Sequence, residues 1–83
     1  MPFDRDKAFN LIRKANELVF SNCPTGSGEW IRENREDLHY QISEASDALD
    51  AAILSDNALA FLAALEQYIR KNIHAFEIYK QVG

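Results

Sequence analysis

The chain has 83 residues, 47% hydrophobic and 27% charged: one domain with a single small core, and a composition far from that of disordered chains. A net charge of −4 excludes the broad positive field that gathers nucleic acid or anionic lipid, and Cys23, the only cysteine, excludes an intrachain disulfide or a multi-cysteine zinc site. No run approaches the ~18 consecutive apolar residues of a membrane span, and Met1, Pro2, Phe3 and Asp4 lead into mixed charge, so a cytoplasmic location is the expectation.

Ala8, Leu11, Ile12, Ala15, Leu18 and Val19 recur at the i, i+3, i+4 and i+7 spacing of one helix face, which predicts a first helix over residues 4–20. Asp4 is its expected N-cap and Phe3 its staple against Ala8. Phe9 and Phe20 project to one side of this stripe and widen the apolar arc, so the helix is expected to touch more than one neighbour.

Residues 21–28, Ser-Asn-Cys-Pro-Thr-Gly-Ser-Gly, read as a loop because Pro24 lacks a donor and Asn and Ser compete for backbone groups. The two glycines do not make a phosphate cradle, since the Gly-Lys-Ser/Thr ending and the preceding strand are both missing. Ser27 is the expected cap of the next helix, with Glu29 in its positive first turn.

Ile31, Leu38, Ile42, Ala45, Leu49, Ala52 and Ile53 form a near-heptad stripe with Arg35 filling one slot by its aliphatic stem, predicting one long helix over residues 28–54. Its far side gathers Glu33, Glu36, Tyr40, Glu44 and Asp47 into an acidic, solvated stripe. Leu54 to Ala58 is a hinge, with Ser55 or Asp56 capping a third helix over residues 57–80. The expected core face of that helix is Ala58, Leu59, Leu62, Leu65, Ile69, Ile73 and Phe76, with Phe61, Tyr68 and Tyr79 seating the first helix. Short connections between these elements predict an all-α, antiparallel three-helix bundle over residues 1–83, built on the hairpin of the second and third helices.

Glu36-x-x-His39 has the spacing of half a di-metal site, and the hinge brings it level with His74 and Glu77. The helical projection turns His39 about 90° and His74 about 150° away from their core faces, so no inward metal cage forms. Cys23 has no histidine near it in sequence, and no nucleophile elbow is present. Trp30 is placed to close the bundle end under Pro24. No catalytic residue, cofactor or small-molecule substrate is evident.

The surplus of apolar positions over what one short helix can hide points to a non-enzymatic interaction module, a homodimer or a binder of another protein, through the hairpin groove left uncovered. The candidate interface residues are Phe9, Phe20, Trp30, Phe61, Tyr68, Phe76, Ile78 and Tyr79. The alternative is an accessory protein touching nucleic acid through the weak basic strip of Arg5, Lys7, Arg13, Lys14, Arg32, Arg35, Arg70 and Lys71.

Overall fold

A computed structural model describes residues 3–21 and 23–82. All regular structure among them is helical: α1 (Arg5–Phe20), α2 (Ser27–Asn34), α3 (Glu36–Leu54) and α4 (Ala58–Val82). The class is the expected all-α one, with four helices in place of three.

α1 begins where the sequence places it. The Asp4 carboxylate accepts from the Lys7 amide at 3.2 Å and satisfies one of the free donors of the first turn. Phe3 joins the cluster that contains Ala8 and meets the edge of the Phe61 ring, centroids 5.8 Å apart.

The single helix expected over residues 28–54 is broken at Arg35, whose φ of −133° and ψ of 71° leave the helical region. Two local preferences compete with propagation here. The Asn34 side chain donates to the Trp30 carbonyl at 3.0 Å, and Glu36 and Asp37 place two acids in the positive first turn of a new helix. The Arg35 guanidinium forks onto Asp37 at 3.0 and 2.9 Å, and this contact holds the Asp37 carboxyl below the usual carboxylate range. Ser27 is not the cap of α2. The cap position falls on Gly26, left-handed at φ 81°, while Ser27 is the first helical residue and is fully buried, its Oγ 3.2 Å from the Cys23 Sγ.

The turn between α3 and α4 closes as a Schellman motif. The Asp56 amide donates to the Ile53 carbonyl and the Asn57 amide to the Ala52 carbonyl, with Asp56 left-handed at φ 52°. Neither Ser55 nor Asp56 caps α4; the Asn57 carboxamide does, accepting from the Ala60 amide at 3.0 Å. Ser55 donates back to the Ala51 carbonyl at 2.8 Å.

Two clusters make the core. Ala8, Leu49, Ala52, Ile53, Phe61 and Ala64 pack near the α3–α4 turn; Val19, Ile31, Leu38, Ala75 and Phe76 pack at the other end. This pairing shows α3 running back along α4, and α1 lying beside α4 in the same direction. Three polar ties fix the levels. Arg5 Nε donates to Asp56 at 3.1 Å, Tyr68 Oη to Asn16 Oδ1 at 2.8 Å, and Tyr79 Oη to the Thr25 carbonyl at 3.1 Å. Burial pushes the Tyr68 phenol up, since the ionised form would lose its hydration. Asn72, the buried polar residue of α4, donates to the Tyr68 carbonyl at 2.8 Å.

The inward face of α4 is Phe61, Ala64, Asn72, Ala75 and Phe76. Of the face expected from periodicity, Leu65 and Ile69 are half-buried, while Leu59, Leu62 and Ile73 stand exposed. The discrepancy is a rotation: the apolar arc of α4 is wide enough for two alternative centres, and the chain buries the one carrying alanines, which lets α3 approach closely.

Candidate functional site: an apolar seam between α1 and α4

Four uncovered aliphatic side chains lie along one edge of the α1–α4 contact. Leu11 is 42% exposed and Leu18 is 64% exposed on α1; Leu62 is 54% and Ile73 is 42% exposed on α4. They come in two pairs. Leu11 and Leu62 line a depression of about 270 Å³ together with Phe3, Ala8 and Phe61. Leu18 and Ile73 line another of about 290 Å³ together with Val19 and Phe76. Between them run the buried Ala15 and the half-buried Leu65 and Ile69, so the seam is apolar for about 17 Å, the rise of the eleven residues that separate Leu62 from Ile73.

The rims differ in chemistry. Lys7 and Lys14, one heptad apart, flank Leu11 and Leu18 and take part in no ion pair among the described residues. The α4 rim carries Glu66 and Glu77, four residues after Leu62 and Ile73 respectively. Glu66 pairs with Arg70 at 2.7 Å, an exposed contact of little weight in stability, and Lys80 closes the far end of the second depression.

The residues expected at an interface are distributed otherwise. Phe61 and Phe76 are buried in the chain's own core, because the side of α4 that they share faces α1 and α3, and they reach the surface only as part of the linings of the two depressions. Tyr68 is half-buried and tied to Asn16. Trp30 and Tyr79 are half-buried against each other, ring centroids 5.5 Å apart and edge-on, closing the bundle end under the Pro24 loop, and Ile78 packs beside them. Phe20 is exposed but leans on Phe76 at 6.2 Å, and Phe9 is exposed on the edge of α1 opposite Leu11. Sequence reasoning missed Leu11, Leu18, Leu62 and Ile73 by assigning them to the core. The signal that could have found them is the excess width of both apolar arcs, on α1 and on α4.

Two other concavities are larger, at about 500 and 440 Å³. The groove between α3 and α4, expected to be the uncovered surface, has a floor of Ala45, Ala48, Ala60, Ala63 and Ala64, edged by Gln41, Glu44, Gln67 and Lys71. Methyl groups of that size give a partner little to grip. Near the loop, Cys23, Arg32, His39 and Asn72 share an open depression of about 440 Å³ with Phe20, Ile31, Ile42 and Phe76. Cys23 is half-buried, its Sγ directed at Ser27 Oγ and the Pro24 carbonyl rather than free in a loose loop. His39 and His74 are both exposed, and among the described residues no group of three or more His, Cys, Asp and Glu could hold a metal ion. Arg5, Arg35 and Arg70 of the basic strip are each paired to an acid. No described helix is long and apolar enough to cross a membrane. No family model, curated protein or solved structure matches this chain.

Proposed function

We propose that the protein is a non-enzymatic interaction module whose working surface is the α1–α4 seam. The observation that carries this reading is the paired exposure of Leu11 with Leu62 and Leu18 with Ile73. Four large aliphatic side chains aligned on one edge hold about 25 cal/mol per Å² of unrealised burial, and aligned patches of this kind mark association surfaces. Scattered single exposures such as Leu54 carry no such weight. The absence of enzymatic activity is inferred from chemistry. Among the described residues the perturbed ionisable groups are Arg35 and Asp37, which perturb each other at the surface, and Tyr68, shifted by burial; none of the three faces a nucleophile or a convergent acid–base pair.

Replacing Leu18 by a photo-reactive benzoylphenylalanine, and in a control chain Asp47 on the exposed side of α3, tests which surface is used. Irradiation in cells is expected to give a discrete adduct from position 18 and none from position 47. Equal labelling at both, or an adduct from position 47 alone, contradicts the seam.

A further inference from the structure

We propose that the depression beside the Pro24 loop, walled by α2, α3 and α4, binds a small uncharged apolar molecule carrying one N–H or O–H donor, a phenol or an indole, and that Asn72 receives the donor. The site is separate from the seam, and neither reading depends on the other.

The carboxamide of Asn72 carries the inference. Asn72 lies on the inward face of α4, three residues after Ile69 and four before Phe76, and is only 4% exposed. An amide at such a position gives up hydration that a leucine would never need. Its Nδ2 donates to the Tyr68 carbonyl at 2.8 Å, and because a carbonyl can only accept, this contact fixes which end of the carboxamide is which. The Oδ1 is left over, and no described residue donates to it. Among the described residues no fully buried polar side-chain atom lacks a partner, so this unpartnered Oδ1 is not sealed in the core and holds a share of the little surface that Asn72 retains. That surface belongs to the depression, which Asn72 lines. A hydrogen-bond acceptor is thereby aimed into a mostly apolar hollow.

The surroundings select the rest of the ligand. Ile31 and Phe76 are buried walls, Ile42 is half-buried, and Phe20 leans on Phe76 with 47% of its surface still free to meet a ring. The volume of about 440 Å³ falls within the roughly 300–1,000 Å³ of small-molecule sites, which pair apolar walls with a few placed polar groups. Glu29 and Arg32 both stand exposed on α2 with opposite charges and join no ion pair among the described residues, so the rim favours neither an anion nor a cation. His39 is exposed as well, and the Cys23 Sγ is already committed to Ser27 and the Pro24 carbonyl. One acceptor in apolar surroundings is matched by one donor on an apolar body. A molecule of the same shape without the donor strips water from Oδ1 and gives nothing back.

The test is an NMR titration of the full chain with indole into the millimolar range, and in parallel with 1-methylindole, which keeps the ring and lacks the donor. Saturable shifts are expected at the Ile31 and Ile42 methyls and at the Asn72 carboxamide, with 1-methylindole binding at least about fivefold more weakly. Asn72→Leu is expected to abolish that preference, so that the two ligands bind alike. Because a substitution at this buried position can disturb folding, the comparison of the two ligands on the wild-type chain decides by itself. Absence of any saturable shift with indole overturns the site, and equal affinity for the two ligands overturns recognition by Asn72. Saturable shifts at the Leu18 and Ile73 methyls in place of Ile31 and Ile42 put the ligand on the seam and overturn this site as well. None of these failures touches the seam as an association surface, which the cross-linking at position 18 tests separately.

Discussion

Asp56 sits where helices most often carry glycine. Its left-handed backbone lets two amides close the end of α3, and its carboxylate reaches Arg5, so one residue both terminates a helix and ties α1 to the turn. Aspartate tolerates this conformation because its short polar side chain bonds locally, whereas a β-branched residue does not. Asp56→Val is expected to lower stability by about 1–2 kcal/mol, and Asp56→Gly to leave it unchanged or raise it by up to about 1 kcal/mol, since the lost pair with Arg5 is exposed. Urea denaturation midpoints of the two variants check this; equal losses in both would place the contribution of Asp56 in its ion pair rather than its backbone. The hinge itself was legible from Ser-Asp-Asn between two periodic runs. Which of the three residues caps α4 was not, because all three are competent caps and only the backbone geometry chooses Asn57.

At the scale of the element, α4 decides what the protein shows to its surroundings. Its 25 residues are apolar over more than half of the circumference, and the chain covers one side with α1, α3 and α2. Leu49→Asp, on the buried side of the α3–α4 contact, is expected to cost about 4 kcal/mol or more, a large part of the ~5–8 kcal/mol available to a domain of this size. Leu62→Asp, by contrast, is expected to shift monomer stability by no more than about 0.5 kcal/mol, because the new carboxylate stays in water. Thermal melts at low protein concentration distinguish them; unfolding of the Leu62→Asp chain would return Leu62 to the core.

Periodicity located the helices at this scale and misjudged their rotation. The pattern measures how much of a helix is apolar, and an arc that is too wide has no unique inward direction. The break at Arg35 was hidden for a related reason. Ile31 and Leu38 are seven residues apart, which suits one continuous stripe as well as two helices meeting at a bend. The legible sign was local chemistry, Asn34 followed by two acids, which is how one helix ends and another begins.

For the whole molecule, the three polar ties and the two core clusters hold α1 in step with α4 along its length, and that registration is what makes the seam a continuous strip rather than scattered leucines. The surplus of apolar surface could be read from composition and spacing; its location could not, since it depends on how three helices divide the space around the fourth. The candidate residues shifted accordingly, from aromatic side chains that mostly close the chain's own core and end to aliphatic ones on its edge. Leu54 and Leu59 supply an internal comparison, being more exposed than the seam leucines and absent from both of its depressions. Methyl NMR spectra of the wild-type chain, recorded with and without a soluble gadolinium chelate, test the central claim most directly. Strong relaxation enhancement is expected at the Leu11, Leu18, Leu62 and Ile73 methyls with Leu49 protected; protection of the four to the level of Leu49 would contradict the seam.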